Sequence, residues 1–134
     1  MTKLVEIEGI GEAYAAKLQA AEVKSLESLL EKGSTKQGRK ALEEATGISG
    51  KLILRWINMA DLFRIKGVGE EYADLLEAAG VDTVPELAQR KAENLHAKMK
   101  EVNEQKKLVR AVPAPSVVEA WVAQAKELPR AVSY

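Results

Sequence analysis

A nine-residue segment occurs twice in this chain of 134 residues, and the two copies align without a gap. Residues 7–15 read IEGIGEAYA, and residues 65–73, which start 58 positions later, read IKGVGEEYA. The same offset relates the apolar residues Leu18 and Leu76, and then Leu29 and Leu87. A repeat period above about 50 residues is typical of stacked supersecondary units. The chain is therefore predicted to contain two copies of one structural unit.

The offset between the copies changes further along the chain. Residues 56–60 read WINMA and resemble WVAQA at residues 121–125, which is an offset of 65. The second copy has therefore gained seven residues relative to the first. We assign the first repeat to residues 1–62 and the second to residues 63–134. The Pro-containing stretch at residues 112–116 is too short to separate further domains.

Apolar residues recur with the period of an α-helix in both copies. Tyr14, Leu18 and Ala21 follow the spacing i, i+4, i+7, whereas no segment shows the alternation of a strand. The predicted fold class is all-α, with about eight to ten short helices. We expect two pseudo-symmetric repeats of these helices packed into one compact body.

Residues suited to helix ends punctuate the chain. The expected N-caps are Ser25, Thr35, Ser49, Thr83 and Ser116. The expected left-handed C-caps are Gly33, Gly47, Gly67 and Gly80. Thr83 with Glu86, and Ser116 with Glu119, have the spacing of a capping box.

The pattern hydrophobic-x-Gly-hydrophobic-Gly-x-x-x-Ala in both copies resembles the helix-hairpin-helix motif. Its turns are Gly9-Ile10-Gly11 and Gly67-Val68-Gly69. One glycine of each turn is expected at positive φ, while Ile10 or Val68 fills the gap between two helices. In DNA-repair and recombination proteins with this motif, backbone N–H groups of the hairpin hold a phosphate at a helix N-terminus. The resemblance implies the same contact here.

A third candidate hairpin lies in the first repeat, at residues 46–51. Its charge suits a phosphate better than that of the two glycine turns. With the first hairpin it would form a double helix-hairpin-helix unit, which in the family contacts both DNA strands. The corresponding segment of the second repeat, residues 112–116, contains two prolines that lack N–H donors and is predicted to be structural. The predicted nucleic-acid-binding residues are Gly47, Ile48, Ser49, Gly50, Lys51 and Arg55, with the neighbouring basic residues Lys36, Arg39 and Lys40.

The overall layout resembles a bacterial family of uncharacterised, non-catalytic tandem helix-hairpin-helix proteins. In the second copy, residues 106–110 read KKLVR before the turn at Pro113, and the copy ends on the predicted helix of Trp121. This resemblance covers nearly the whole chain. It implies a fold and no particular activity.

Charge leaves two function classes open. The 20 basic and 20 acidic residues cancel, and Glu12, Glu70 and Glu71 follow the hairpin glycines, where a carboxylate repels phosphate. Charge nevertheless segregates along both copies, with a second basic group at Lys98, Lys100, Lys106, Lys107 and Arg110. Such basic groups suit the phosphate backbone of DNA or RNA, bound without sequence preference. The alternative is a protein–protein interaction adaptor or a self-associating scaffold that has lost nucleic-acid binding.

Residues that carry catalysis or bind metals are scarce. The chain has no cysteine, and His96 is its single histidine with no other soft ligand nearby. No carboxylate pairs with a base or nucleophile in a catalytic pattern, so we expect neither an enzyme nor a cofactor or metal site. Trp56 and Trp121 are predicted to be core residues. No segment suits a membrane span, so a cytoplasmic location is the default expectation, and the oligomeric state stays open.

Overall fold

The structure, a computed structural model, describes residues 2–134 and is helical throughout its regular elements. A 3₁₀ turn, Leu4–Glu6, precedes eight α-helices. The helices are α1 (Glu12–Ala20), α2 (Leu26–Lys32), α3 (Lys36–Thr46), α4 (Gly50–Leu62), α5 (Glu70–Ala78), α6 (Val84–Ala88), α7 (Ala92–Lys106) and α8 (Pro115–Glu127). No strand occurs among the described residues. The predicted all-α fold class is confirmed.

The chain divides into two compact units. The first comprises the residues up to Asp61 together with Ala131–Tyr134, and the second comprises Leu62–Arg130. Helices α1 to α4 build the first unit, although the last residue of α4 already belongs to the second. Helices α5 to α8 build the second unit.

Each unit has a tryptophan at the centre of its core. Trp56 on α4 is fully buried, and the ring of Tyr14 on α1 meets it edge to face, with ring centroids 5.1 Å apart. In the second unit, Trp121 on α8 is buried against Tyr72 on α5 with ring centroids 5.4 Å apart. Tilted aromatic pairs of this kind add to the free energy gained from burying the rings. The prediction that both tryptophans are core residues is confirmed.

Side-chain hydroxyl groups cap four helices as predicted, each accepting a hydrogen bond from a backbone N–H group in the first helical turn. The confirmed N-caps are Ser25, Thr35, Ser49 and Thr83. Ser116 is wrong as an N-cap, and its capping box with Glu119 fails with it, because α8 already begins at Pro115. Proline is favoured in the first helical turn, where its missing N–H group would have no helical acceptor.

The predicted left-handed C-caps are confirmed at Gly47 (φ 72°) and Gly80 (φ 97°), but Gly33 is wrong because its φ is −98°. Gly67 is left-handed with φ 93° but is wrong as a C-cap, because α4 already ends at Leu62. Gly33 serves a different purpose. A Cβ atom there would overlap the side chain of Ile57 on α4, so glycine allows α4 to pack closely against the end of α2.

A lysine or arginine side chain supports the left-handed residue after the first full helix of each unit. Glu22 has φ 66°, an uncommon value for a residue with a Cβ atom, and occupies the position of Gly80 at the 58-residue offset. Its carbonyl oxygen accepts a hydrogen bond from Lys32 Nζ at 2.9 Å. The carbonyl oxygen of Gly80 accepts one from Arg90 Nη2 at 3.0 Å. The aligned residues Lys32 and Arg90 therefore make the same backbone contact.

The last four residues of the chain pack within the first unit. Val132 is buried, and the N–H group of Ser133 donates to the carbonyl oxygen of Ser34 at 2.8 Å. Tyr134 donates its hydroxyl hydrogen to Asn58 Oδ1 at 2.6 Å. No helix among the described residues is long and apolar enough to cross a bilayer.

Candidate nucleic-acid interface

The two predicted glycine turns have matching backbone geometry. Gly9 has φ 99° and Gly67 has φ 93°, so the prediction of one glycine at positive φ in each turn is confirmed. The N–H groups of Ile10 and Val68 each donate to the carbonyl oxygen three residues earlier at 3.1 Å, and both side chains are buried. The second glycine of each turn, Gly11 or Gly69, is the N-cap residue of the following helix.

Carboxylates lie where a phosphate would meet these turns. Glu12 is the first residue of α1, and Glu70 and Glu71 open α5; all three are exposed. At the second turn, a shallow pocket of about 320 Å³ is lined by Gly67, Gly69, Glu70, Glu71 and Tyr72. The N-terminus of a helix attracts anions, but neighbouring carboxylates oppose that attraction. Neither turn favours a phosphate.

The third predicted hairpin also has a carboxylate beside it. Ile48 is buried and its N–H group donates to Thr46 Oγ1, while Ser49 Oγ accepts from the N–H group of Lys51. A Cβ atom on Gly50 would lie 2.8 Å from Glu43 Oε2, so the Glu43 carboxylate is adjacent to the first residue of α4. A carboxylate beside the start of α4 opposes the attraction of this helix N-terminus for an anion.

Two of the predicted phosphate contacts are engaged inside the first unit. Arg39 is only 9% exposed, and its guanidinium donates to the carbonyl oxygens of Gly33 and Ser133, both at 2.9 Å. Arg55 donates to the carbonyl oxygen of Glu8 at 3.1 Å and lies 3.4 Å from the Glu8 carboxylate. Arg55 therefore ties α4 to the first glycine turn, and neither side chain joins the exposed lysines.

The indole N–H group of Trp56 lies beneath the same turn. Its Nε1 atom is buried and has no hydrogen-bond partner among the described residues. A Cβ atom on Gly9 would lie 3.1 Å from Arg55 Nη1 and 3.6 Å from Trp56 Nε1. Glycine at this position thus combines a left-handed backbone with close approach of two side chains.

Several other basic side chains are exposed and have no hydrogen-bond or ion-pair partner among the described residues. One set of them lies on α3, at the start of α4, along α7 and in the loop after α7. This set comprises Lys36, Lys40, Lys51, Lys98, Lys100, Lys106, Lys107 and Arg110. The basic side chains that donate hydrogen bonds to backbone carbonyl oxygens include Lys32, Arg39, Arg55, Arg64 and Arg90. The structure thus separates basic residues that stabilise turns from those available to a partner.

Asn103 and His96 organise the loop between α7 and α8. Neither residue was predicted from the sequence to belong to the site. Asn103 Nδ2 donates to the carbonyl oxygen of Val109 at 3.1 Å, and Asn103 Oδ1 accepts from the N–H group of Val109 at 3.0 Å. His96 Nε2 lies 3.0 Å from the carbonyl oxygen of Pro113. The extra residues in the second repeat were the signal in the sequence, because an added loop must satisfy its own buried backbone groups.

A family model described as "Domain of unknown function (DUF4332)" matches residues 8–128, a range that runs through both units. No curated protein matches the chain, and no solved structure matches it.

Proposed function

Because the chain belongs to the DUF4332 family, whose description gives no activity, we propose a function from the residues themselves: binding of nucleic acid through its phosphate backbone. In this proposal the protein is a non-enzymatic, tandem helix-hairpin-helix protein that does not read sequence. The glycine turns act mainly as scaffold, since carboxylates flank all three candidate hairpins.

The exposed basic residues carry this proposal. The eight lysine and arginine side chains of α3, α4, α7 and the loop after α7 are among the exposed basic residues with no acidic partner in the described part of the chain. A polyanion would neutralise these exposed positive charges. Seven of the eight are lysines, which contact phosphates as point charges and carry little sequence information.

Fluorescence anisotropy with labelled DNA duplex, single-stranded DNA and RNA of random sequence tests the proposal. About four phosphate contacts give a slope near −3.6 in log K against log salt, so duplex binding should weaken roughly a hundredfold from about 50 to about 200 mM salt. Two duplexes of unrelated sequence should bind equally. Absence of binding to all three probes at the lower salt concentration would overturn the proposal.

The carboxylates beside the hairpins support a second candidate, a protein-interaction adaptor or self-associating scaffold. Glu70 and Glu71 line the pocket at the second turn, a surface suited to a basic partner segment. Acidic stretches of one molecule could also bind basic stretches of another. Sedimentation velocity over a range of protein concentrations at low and high salt distinguishes self-association, which should be salt-sensitive, from a monomer that requires a different partner.

A further inference from the structure

Resting on the proposed function, we infer that the main phosphate-binding surface is the C-terminal end of α7 with the loop that follows it. This basic loop comprises residues 106–114 and replaces the glycine hairpins as the principal contact. Asn103 is a positioning residue, because it holds the loop without itself touching the ligand. The third hairpin, in the first unit, which the sequence favoured for this role, then makes the smaller contribution.

The second copy has most of its additional residues in this loop. The connection between α3 and α4 is residues 47–49, whereas α7 and α8 are joined by residues 107–114. No acidic residue occurs between Glu104 and Glu119, a segment that contains Lys106, Lys107 and Arg110. Every charged residue of the longer loop is therefore basic.

The loop is held in one conformation by side chains of α7. The Asn103 amide pairs with both backbone polar groups of Val109, as a neighbouring strand would, and Val109 is buried. His96, two turns earlier on α7, lies within hydrogen-bond distance of the Pro113 carbonyl oxygen. These two fixed points and Pro113 reduce the conformational freedom that the loop would otherwise lose on binding.

This anchoring brings the basic side chains to one end of α7. Lys106 is the last residue of α7, and Lys107 follows it in a left-handed conformation with φ 50°. Arg110 directly follows Val109, whose backbone is bonded to Asn103 one turn before the helix end. All three side chains are exposed. The C-terminus of a helix tolerates adjacent positive charge because its carbonyl groups carry partial negative charge.

Two lysines of the first unit share a helix face with a carboxylate. Lys36, Lys40 and Glu43 follow the spacing i, i+4, i+7 and so share one face of α3. The Glu43 carboxylate lies beside Gly50, the residue before Lys51. A phosphate approaching these lysines meets a carboxylate on the same face, so their contribution is smaller.

Matched double variants test which unit binds. Lys106→Gln with Arg110→Gln should weaken duplex binding more than tenfold at low salt and make the salt slope shallower by about 1.8, the value for two phosphates. Lys36→Gln with Lys40→Gln removes the same charge from the first unit and should change affinity less than threefold. Equal effects, or a larger effect in the first unit, would overturn the inference while leaving the proposed function intact.

Asn103→Ala tests the positioning role. All charges remain, so the salt slope should stay at the wild-type value while affinity falls severalfold through the ordering cost of a loosened loop. Circular dichroism and exchange protection of the α7 amides identify a variant that has lost the helix; if it has, Asn103→Ser provides the same measurement. Wild-type affinity in a folded variant would show that Asn103 has no positioning role. Failure of the wild-type protein to bind any nucleic-acid probe would instead reject the proposed function itself.

Discussion

At the residue scale, the two glycines of the second turn have different requirements. Gly67 has φ 93°, and a Cβ atom there would lie 3.2 Å from Trp121 Nε1. Gly69 has φ −109°, and no atom lies within 4 Å of its Cβ position. The first glycine is therefore needed for its backbone conformation and for close packing, whereas the second has space for a side chain.

Gly67→Val should lower the free energy of unfolding by about 1–3 kcal/mol, because a β-branched residue is strained at positive φ. Gly69→Val is the control and should cost less than about 1 kcal/mol, mainly through a poorer N-cap residue. Urea denaturation of both variants measures the difference. Equal losses would show that the turn does not require glycine at residue 67.

The pKa of Asp82 gives a pH-dependent prediction. Partial desolvation, and then repulsion by Glu86 and Glu77, raises the pKa of this exposed carboxyl group above its usual range. The native state therefore binds this proton more tightly than the unfolded chain does. The resulting stability is present below the unfolded pKa and is lost as pH rises through the raised native pKa.

The free energy of unfolding of Asp82→Asn should consequently equal that of the wild type at about pH 3 and should exceed it as the pH rises toward about 7. Thermal unfolding across this pH range provides the measurement. Glu101→Gln, on the exposed part of α7, controls for the loss of one negative charge. A constant difference between Asp82→Asn and the wild type at every pH would contradict the pKa shift.

At the element scale, the N-termini of α6 and α8 allow a matched test of side-chain capping. Thr83 Oγ1 accepts from the N–H group of Glu86 at 3.2 Å, whereas α8 begins before Ser116 and makes no side-chain cap. Thr83→Ala should cost about 1 kcal/mol, and Ser116→Ala should change stability by less than about 0.5 kcal/mol. Chemical denaturation tests both. A comparable loss in the Ser116 variant would mean that this hydroxyl group does cap α8.

At the scale of the whole molecule, the end of the chain completes the core of the first unit. Val132 is 2% exposed, Ser133 bonds to Ser34 and Arg39, and the Arg39 guanidinium lies 5.6 Å from the centroid of the Tyr134 ring. Buried Arg39 depends on Ser133 for one of its acceptors. A stretch of four residues is thus part of a unit whose other residues lie far away in sequence.

Deleting residues 131–134 should lower the stability of the first unit by on the order of 2–4 kcal/mol, from the lost burial of Val132 and an unpaired donor on Arg39. Hydrogen exchange should show the lost protection in the amides of α3 and α4. Tyr134→Phe removes only the hydroxyl group bonded to Asn58 and should cost about 1 kcal/mol. Unchanged exchange in the deletion variant would show that the tail adds no stability.

The sequence by itself determined the helical class, the turn glycines at positive φ and most helix caps. Each depends on residues close together in the chain: the period of apolar residues, the absence of a Cβ atom at Gly9, or a hydroxyl group three residues before an N–H group. The internal repeat strengthened these predictions, because each pattern occurs twice. Ser116 and Gly33 failed where a neighbouring proline or a packed helix imposed a different solution.

Tertiary structure alone decided which basic residues are available to a ligand. Arg55 meets Glu8 across 47 residues, and Arg39 meets Ser133 across 94. No local pattern specifies such partners, because a guanidinium donates to whichever carbonyl groups the fold brings within reach. The pairing of Asn103 with Val109 follows the same rule over a shorter distance, since it forms only once the loop turns back on α7. The basic residues of the candidate surface are therefore ones that the fold did not use to bind its own backbone.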